Sequence, residues 1–358
     1  MKEEKKIDKK TSIGGQALIE GIMMRGPQKT AMAVRNPQGE IVLEKWDTNT
    51  KTIGKYNVRR IPFIRGVFNF IDSMRLGYKC LMRSAEIAGI EEETPKKENT
   101  VQENTEEVKP LEENAEASND AEAKSKEKDQ KNGDRAFLSV VMTISSLLGV
   151  ALAIFLFVFL PTWVSTTILG KDATTEHPIW ITVLSGVMKV VILIIYMLLV
   201  SLMKDIRRTF MYHGAEHKTI FCYEHGNELT VENVRKERRF HPRCGTSFLI
   251  LMVLVSILVM IPISLLLRSV LPDAIIQKKP LYSLIRSGIA ILLLPIMMGI
   301  GYELIKFSGR HDNFLTKIIS APGLLLQRMT VFEPEDAMIE CAIKAFTEVL
   351  PSDDSDRW

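Results

Sequence analysis

At 358 residues the chain has room for two domains, and its formal net charge of +3 hides a strong asymmetry. Residues 91–134 hold 15 Asp/Glu against 7 Lys/Arg, a net of −8 that leaves +11 for the rest, as suits a protein lying against anionic lipid head groups. The basic residues flank apolar runs and form no separate basic domain, so no nucleic acid is expected as a partner. The four scattered cysteines, Cys80, Cys222, Cys244 and Cys341, do not form a disulfide framework.

Residues 1–11, MKEEKKIDKKT, are charged and lack an apolar core, which predicts a disordered start and no cleavable signal peptide. Residues 12–60 read as β structure. The stretches 16–24 and 30–34 are short apolar-rich runs, Asn36-Pro37-Gln38-Gly39 is a turn signal, and 41–46 is the return strand. The pair Gly14-Gly15 is too little for a phosphate loop. Next, Ile64, Val67, Phe68, Ile71, Met74, Tyr78, Leu81 and Ala85 recur at three- and four-residue spacing, with Arg75, Lys79 and Arg83 on another face. This amphipathic helix either lies in a membrane interface or packs on the β region, the two together filling 12–90. Residues 91–134 lack aromatic and nearly all large apolar side chains, so they are expected to be a disordered acidic linker.

Four long apolar runs follow: 137–159 and 245–267 without a charge, 179–203 with Lys189, and 281–302 with Arg286 near its start. A hydrocarbon core of about 30 Å needs roughly 20 apolar residues in a helix. The expected fold class is therefore a mainly α membrane protein. It would be a four-helix transmembrane bundle over 135–330, with spans at about 137–160, 179–203, 246–267 and 282–305, joined to a small N-terminal β-containing region. Pro295 should loosen the last span. The segment 204–243 carries nine Lys/Arg, against Lys171 alone in 161–178 and three in 268–280. That bias places the loop 204–245 in the cytoplasm, and with an even number of spans both termini too. In the tail, 331–358, Glu333-Pro334-Glu335-Asp336 starts a helix and Met338, Ile339, Ala342, Ile343, Phe346 and Val349 give it a docking face.

The residues that carry chemistry gather on that cytoplasmic side. His213 and His217, in His213-Gly214-Ala215-Glu216-His217, share a helix face four residues apart and can hold one zinc or other divalent metal ion. Glu216 completes the His-x-x-Glu-His order of an inverted zinc protease, where the carboxylate is the general base. His241 and Cys244, entering the third span, can join those histidines. In a rival pairing, Cys222 and His225 close a four-ligand structural site with His241 and Cys244, leaving no position for water. Glu303, at the end of the fourth span, can reach the loop histidines, and His311 with Asp312 offers a further ligand and its support. Each of these also has a plainer reading as ordinary polarity at a helix end or interface. Lys189 lies at least about 15 Å from either end of its span by helical rise and has no partner at its depth; an intramembrane charge leaves a transport role open.

The stretches GGQALIEGIMMRGP, HGAEHKTIFCYEHGNELTVENVR, FHPRCGTSF, GYELIKFSGRHDN and PGLLLQRMTVFEPEDAMIE resemble the YqhQ-like family of uncharacterised bacterial multi-pass membrane proteins. The resemblance covers nearly the whole chain outside the acidic linker. That family is catalogued as predicted metal-dependent enzymes, without a substrate. The resemblance implies a cell-membrane protein and points to His213, Glu216, His217, His241, Cys244, Glu303, His311 and Asp312.

Three functions follow as expectations. The first is a zinc-type metalloprotein acting as a hydrolase at the inner membrane surface, with Glu216 catalytic and the metal held by His213, His217 and one of His241, Cys244 or His311. The second is a non-catalytic scaffold or regulator with a structural metal or polar cluster, and the third a transporter. The expected partners are the lipid bilayer and either another membrane protein or a second copy of the chain.

Overall fold

The computed structural model describes residues 10–48, 61–89, 144–169, 178–311, 313–353 and 355–357. Most of the acidic linker's surroundings, the linker itself (91–134), the first residues of the first expected span (137–143) and Asp312 lie outside the described residues. Strands β1 (Gly14–Leu18), β2 (Gly21–Arg25), β3 (Lys29–Arg35) and β4 (Ile41–Asp47) form an antiparallel sheet in that order. Successive side chains point to opposite faces. Ile22, Met24, Ala31 and Ala33 pack into one apolar cluster, and Leu18, Met23, Met32 and Val34 into another. Both faces are covered, so β3 is buried from Thr30 to Val34 without alternation.

The expected single run at 16–24 is two strands. Glu20 sits in the left-handed region (φ 50°) and turns the chain between Leu18 and Gly21. Its carboxylate is held by Arg208 and by the Tyr212 hydroxyl at 3.2 Å, contacts that fix an unfavourable backbone conformation from outside the hairpin. Thr11, expected in a disordered start, is buried, with its hydroxyl 2.7 Å from Asp356.

Helix α1 (Ile64–Ile87) divides its apolar stripe. Cys80, Leu76, Leu81 and Ile87 pack on the sheet, whereas Ile64, Ile71, Met74 and Tyr78 are exposed. Each of the two readings of this helix thus fits part of it. Helix α2 (Ile144–Ile168) runs past the expected end at residue 160. A π-turn at Phe155–Phe159 precedes Pro161, so the wide turn already breaks the regular hydrogen-bond ladder where proline lacks its N–H.

Then come α3 (Pro178–Ser201), α4 (Lys204–Glu224), α5 (Val231–Lys236), α6 (Thr246–Val270), α7 (Asp273–Ile276), α8 (Lys279–Leu292), α9 (Leu294–Arg310), α10 (Phe314–Thr330) and α11 (Asp336–Val349). Helices α2, α3 and α6 are long and apolar enough to cross a membrane. The pair α8–α9 makes a fourth candidate, bent by 51° next to Pro295. Leu258, Leu199, Leu266 and Trp180 are among many large apolar side chains these helices leave exposed, an apolar surface of the kind that meets lipid or another protein.

The chain forms two units, Met1–Glu92 with Phe159–Trp358, and Glu93–Val158. Within the second, the described residues are the helical stretch 144–158, exposed as far as residue 155. Within the first, α11 buries Met338, Ile339, Ala342, Phe346 and Val349 against the sheet and α4, so the sheet lies between α1 on one face and α4 with α11 on the other. Arg65 of α1 grips both carboxylate oxygens of Glu303 of α9 through its Nε and Nη2, joining this layered part to the apolar helices.

Candidate metal centre

Helix α4 is buried along most of its second half because strand β1 and the segment before α11 press on it. Gly214 permits that approach: a Cβ there would lie 2.0 Å from the Phe332 carbonyl oxygen. The glycine that weakens the helix in isolation is the position where another backbone crosses it. His213 and His217, one turn apart, present adjoining rings with centroids 4.4 Å apart. Cys244, two residues before α6, comes to the same point, and one donor atom from each of His213, His217 and Cys244 lies within 4.8 Å of the others. Among the described residues this is the group able to hold a metal ion.

Both imidazoles are oriented from behind. His213 Nδ1 is 3.0 Å from the Thr330 carbonyl and His217 Nδ1 is 2.6 Å from the Arg239 carbonyl. A carbonyl only accepts, so each Nδ1 carries the proton and each Nε2 presents its lone pair. His213 Nε2 lies 3.1 Å from Cys244 Sγ, and His217 Nε2 is buried without a hydrogen bond. A buried, unsatisfied nitrogen beside a thiol is costly unless a ligand completes it. Burial opposes the thiolate of Cys244, but His217 and Thr246 outweigh it and hold the thiol below its ordinary range. A lowered thiol favours the form that binds metal.

Glu216 is buried beside this group. Its Oε1 accepts the Gly15 N–H of β1 at 3.0 Å, a contact that needs glycine because a Cβ there would meet the Glu216 carboxyl carbon at 3.0 Å. Burial pushes the Glu216 carboxyl up to about 7, against the opposing effect of His213. A cavity of about 120 Å³ is lined by Gly14, Gly15, Glu216, His217, His241, Arg243 and Cys244 among others. It has room for water and a small polar group.

The remaining expected residues are placed elsewhere. His241 stands next in line, its ring 5.6 Å from that of His217, but its nitrogens turn to Glu224 (3.6 Å) and to the Arg243 backbone N–H (3.3 Å), outside the three-donor group. Cys222 points to the backbone carbonyls of Glu228 (3.4 Å) and Asn227, and His225 pairs with Glu237 at 2.8 Å. The closed site of Cys222, His225, His241 and Cys244 therefore does not form, because two of its members are spent on separate partners. Glu303 is taken by Arg65. His311 is exposed and stacked on Phe307, away from the cluster.

The supports were not singled out from the sequence. Gln327 of α10 clasps the His241 backbone, accepting its N–H at 2.8 Å and donating to its carbonyl at 2.7 Å, which holds the segment leading to Cys244. Glu224 is fully buried and ties Thr11, His241 and Arg243 together. Burial works against its charge, yet the His241 and Arg243 contacts outweigh it and keep its carboxyl below the usual range. One signal was present: Glu224 follows His217 by seven residues, two turns along the same face of α4.

The protein family described as "Protein of unknown function (DUF1385)" matches residues 61–352. The "Uncharacterized protein YqhQ" of Bacillus subtilis (strain 168) is 29% identical over 339 residues, which cover 94% of this chain and 92% of that protein. No solved structure matches the chain.

Proposed function

From the premise that the chain belongs to the DUF1385 family, with the YqhQ-like resemblance its motifs carry, we propose that it is a multi-pass cell-membrane metalloprotein. The proposal puts the His213–His217–Cys244 cluster at the cytoplasmic face, both termini on that side, and a zinc-type ion in the cluster. The observation that carries it is the convergence of three donor atoms within 4.8 Å, with both imidazoles fixed in the tautomer that frees Nε2. Nitrogen and sulfur donors together suit zinc better than magnesium or calcium. Three protein ligands, rather than four, leave a position open beside the cavity, which supports catalysis over a purely structural role.

A zinc-type ion, when bound, supplies Lewis acidity and makes water a better nucleophile. His213, His217 and Cys244 hold and orient it. Glu216, kept in place by the Gly15 N–H, takes the proton from water at a carboxylate oxygen. Arg243, anchored by Glu224, stands at the cavity wall where a polarised carbonyl oxygen of an ester or amide would sit. The substrate would be an amide or ester presented at the inner membrane surface.

Metal analysis of purified protein tests this. About one equivalent of zinc is expected, and it should be lost in His213→Ala, His217→Ala and Cys244→Ser. Glu216→Gln should keep the metal and lose the cellular function. A wild-type protein purified without chelator, folded and free of metal even after zinc addition, rejects the proposal. Retained function in metal-loaded Glu216→Gln would instead leave the ion as a brace between α4, the segment before α6, and α10.

A further inference from the structure

A second polar cluster lies far from the metal centre. Ser264 follows Thr246 by 18 residues on α6, about 27 Å by helical rise, nearly the depth of a bilayer core. Around it α8 is built inside out. Its buried residues are Tyr282, Ser283, Arg286 and Ser287, one polar face, while Leu281, Leu284, Ile291 and Leu292 are exposed. A helix that hides polar groups and exposes leucine belongs in lipid, where the buried face must be satisfied from within.

That satisfaction is incomplete. Arg286 Nη2 donates to the Thr182 hydroxyl at 2.8 Å, Thr182 and Ser264 share a hydrogen bond of 2.8 Å, and Ser264 donates to the Met260 carbonyl at 2.6 Å. These partners are neutral. Arg286 Nη1, the Tyr282 hydroxyl and the Ser283 hydroxyl are all buried without a well-formed hydrogen bond, although the Arg286 guanidinium and the Tyr282 hydroxyl lie close enough to interact with each other. Arg286 is 3% exposed, Tyr282 1% and Ser283 0%. The hydrogen bond that Arg286 makes goes to a hydroxyl and not to a carboxylate, and the described residues of α2, α3, α6 and α8 include no Asp or Glu. Lys189, seven residues beyond Thr182 on the same face of α3, adds a second cation. With no acid among the described residues of these helices, the two cations carry positive charge that an outside anion would neutralise.

We propose that Arg286, Tyr282 and Ser283 form the binding site for one phosphate group. The planar guanidinium offers parallel donors that fit two phosphate oxygens, and the two hydroxyls supply further donors on the same helix face. A phospholipid head group and free inorganic phosphate share that chemistry. The site is independent of the metal reading, since none of its residues belongs to the three-donor cluster.

The test uses the full chain, delipidated in a neutral detergent. Its thermal unfolding midpoint is followed on adding phosphatidylglycerol in mixed micelles or, separately, inorganic phosphate, with chloride as control. A saturable rise of about 5 °C is expected at hundredfold excess over the dissociation constant. A rise with phosphatidylglycerol alone assigns a lipid head group; a rise with phosphate alone assigns the free anion; a rise with both, in competition, assigns the phosphate group itself. Arg286→Gln should abolish the rise. Arg268→Gln, whose arginine pairs with Asp273 at 3.1 Å on the surface, should keep it. No rise with either probe, or an equal rise in Arg286→Gln, overturns the proposal. Should Arg286→Gln fail to fold, native mass spectrometry of the mildly extracted wild type decides: one retained phosphate-bearing molecule is expected, and a uniformly bare chain indifferent to both probes overturns it.

Discussion

The two polar clusters differ in how their buried groups are satisfied. Around His213, His217 and Cys244 each polar group is answered by another of the chain's own: Nδ1 atoms by carbonyls, Glu216 by a backbone N–H, Arg243 by Glu224. What is left free there is a set of lone pairs. Around Arg286 the answering groups are hydroxyls, and what is left free is donors and a formal charge. Free lone pairs in a self-consistent frame call for a cation; free donors on an uncompensated cation call for an anion. Low dielectric makes both demands strong, so one bundle can be read for two opposite ligands from its unsatisfied atoms alone.

The comparison breaks most visibly at Glu224. Removing a carboxylate that is fully buried against Arg243 leaves an unpaired cation behind it, which costs about 3–5 kcal/mol. Glu224→Ala should lower unfolding stability by that amount in a denaturant titration. The sign with pH follows from its lowered carboxyl. A depressed folded-state pKa gives stability that is fully present above the ordinary carboxylate value near ~4.3 and lost as pH falls through the folded value. Wild-type stability should therefore fall in that acid window, and Glu224→Gln should flatten the contribution. An unchanged acid profile in Glu224→Gln would mean that another group carries it.

Gln327 gives the next effect. Its two hydrogen bonds to the His241 backbone are buried, and Gln327→Leu leaves an N–H and a C=O without partners, about 2–3 kcal/mol. Because the same segment positions Cys244, zinc affinity should drop about 10–100-fold, the size of a lost supporting contact. Competition with a chromogenic chelator measures this. Lost stability with unchanged zinc affinity would separate the clasp from the metal site.

How much of this could be read from residues alone depends on the range of the interaction. Apolar run length announced α3 and α6, and Pro295 announced the break between α8 and α9, because both act within a few turns. The four-residue spacing of His213 and His217 likewise needed only a helix. The turn at Glu20 was hidden, since its left-handed backbone is held by Arg208 and Tyr212 from α4 rather than by a glycine or asparagine in place. The run through Pro161 was hidden by a π-turn that no spacing marks. His241, Cys222, His225, Glu303 and His311 carry the right atoms for a metal site, yet each is claimed by a partner nearby or across the fold, Glu303 by Arg65 from 238 residues away. Residue type and spacing predict which atoms can ligate; competition among distant partners decides which do.

Thr182→Val removes one neutral link between Arg286 and Ser264, and about 1 kcal/mol is expected, because Ser264 retains the Met260 carbonyl.

The smallest effect is the sharpest contrast. Arg286→Met, measured in delipidated protein without phosphate, should change stability by less than about 1 kcal/mol or raise it. Among the described residues the arginine has no charged partner to lose, and an apolar side chain of similar length removes the cost of its buried charge. Glu224→Ala, at the other cluster, deletes a charge that another charge requires. The prediction reverses when an anion is supplied: with phosphatidylglycerol present, wild type should gain stability that Arg286→Met does not, and the gap between the two proteins should open with lipid concentration. If Arg286→Met is instead as damaging as Glu224→Ala in the bare protein, the guanidinium already has a compensating charge within the chain. The two ends of the bundle would then be satisfied in the same way.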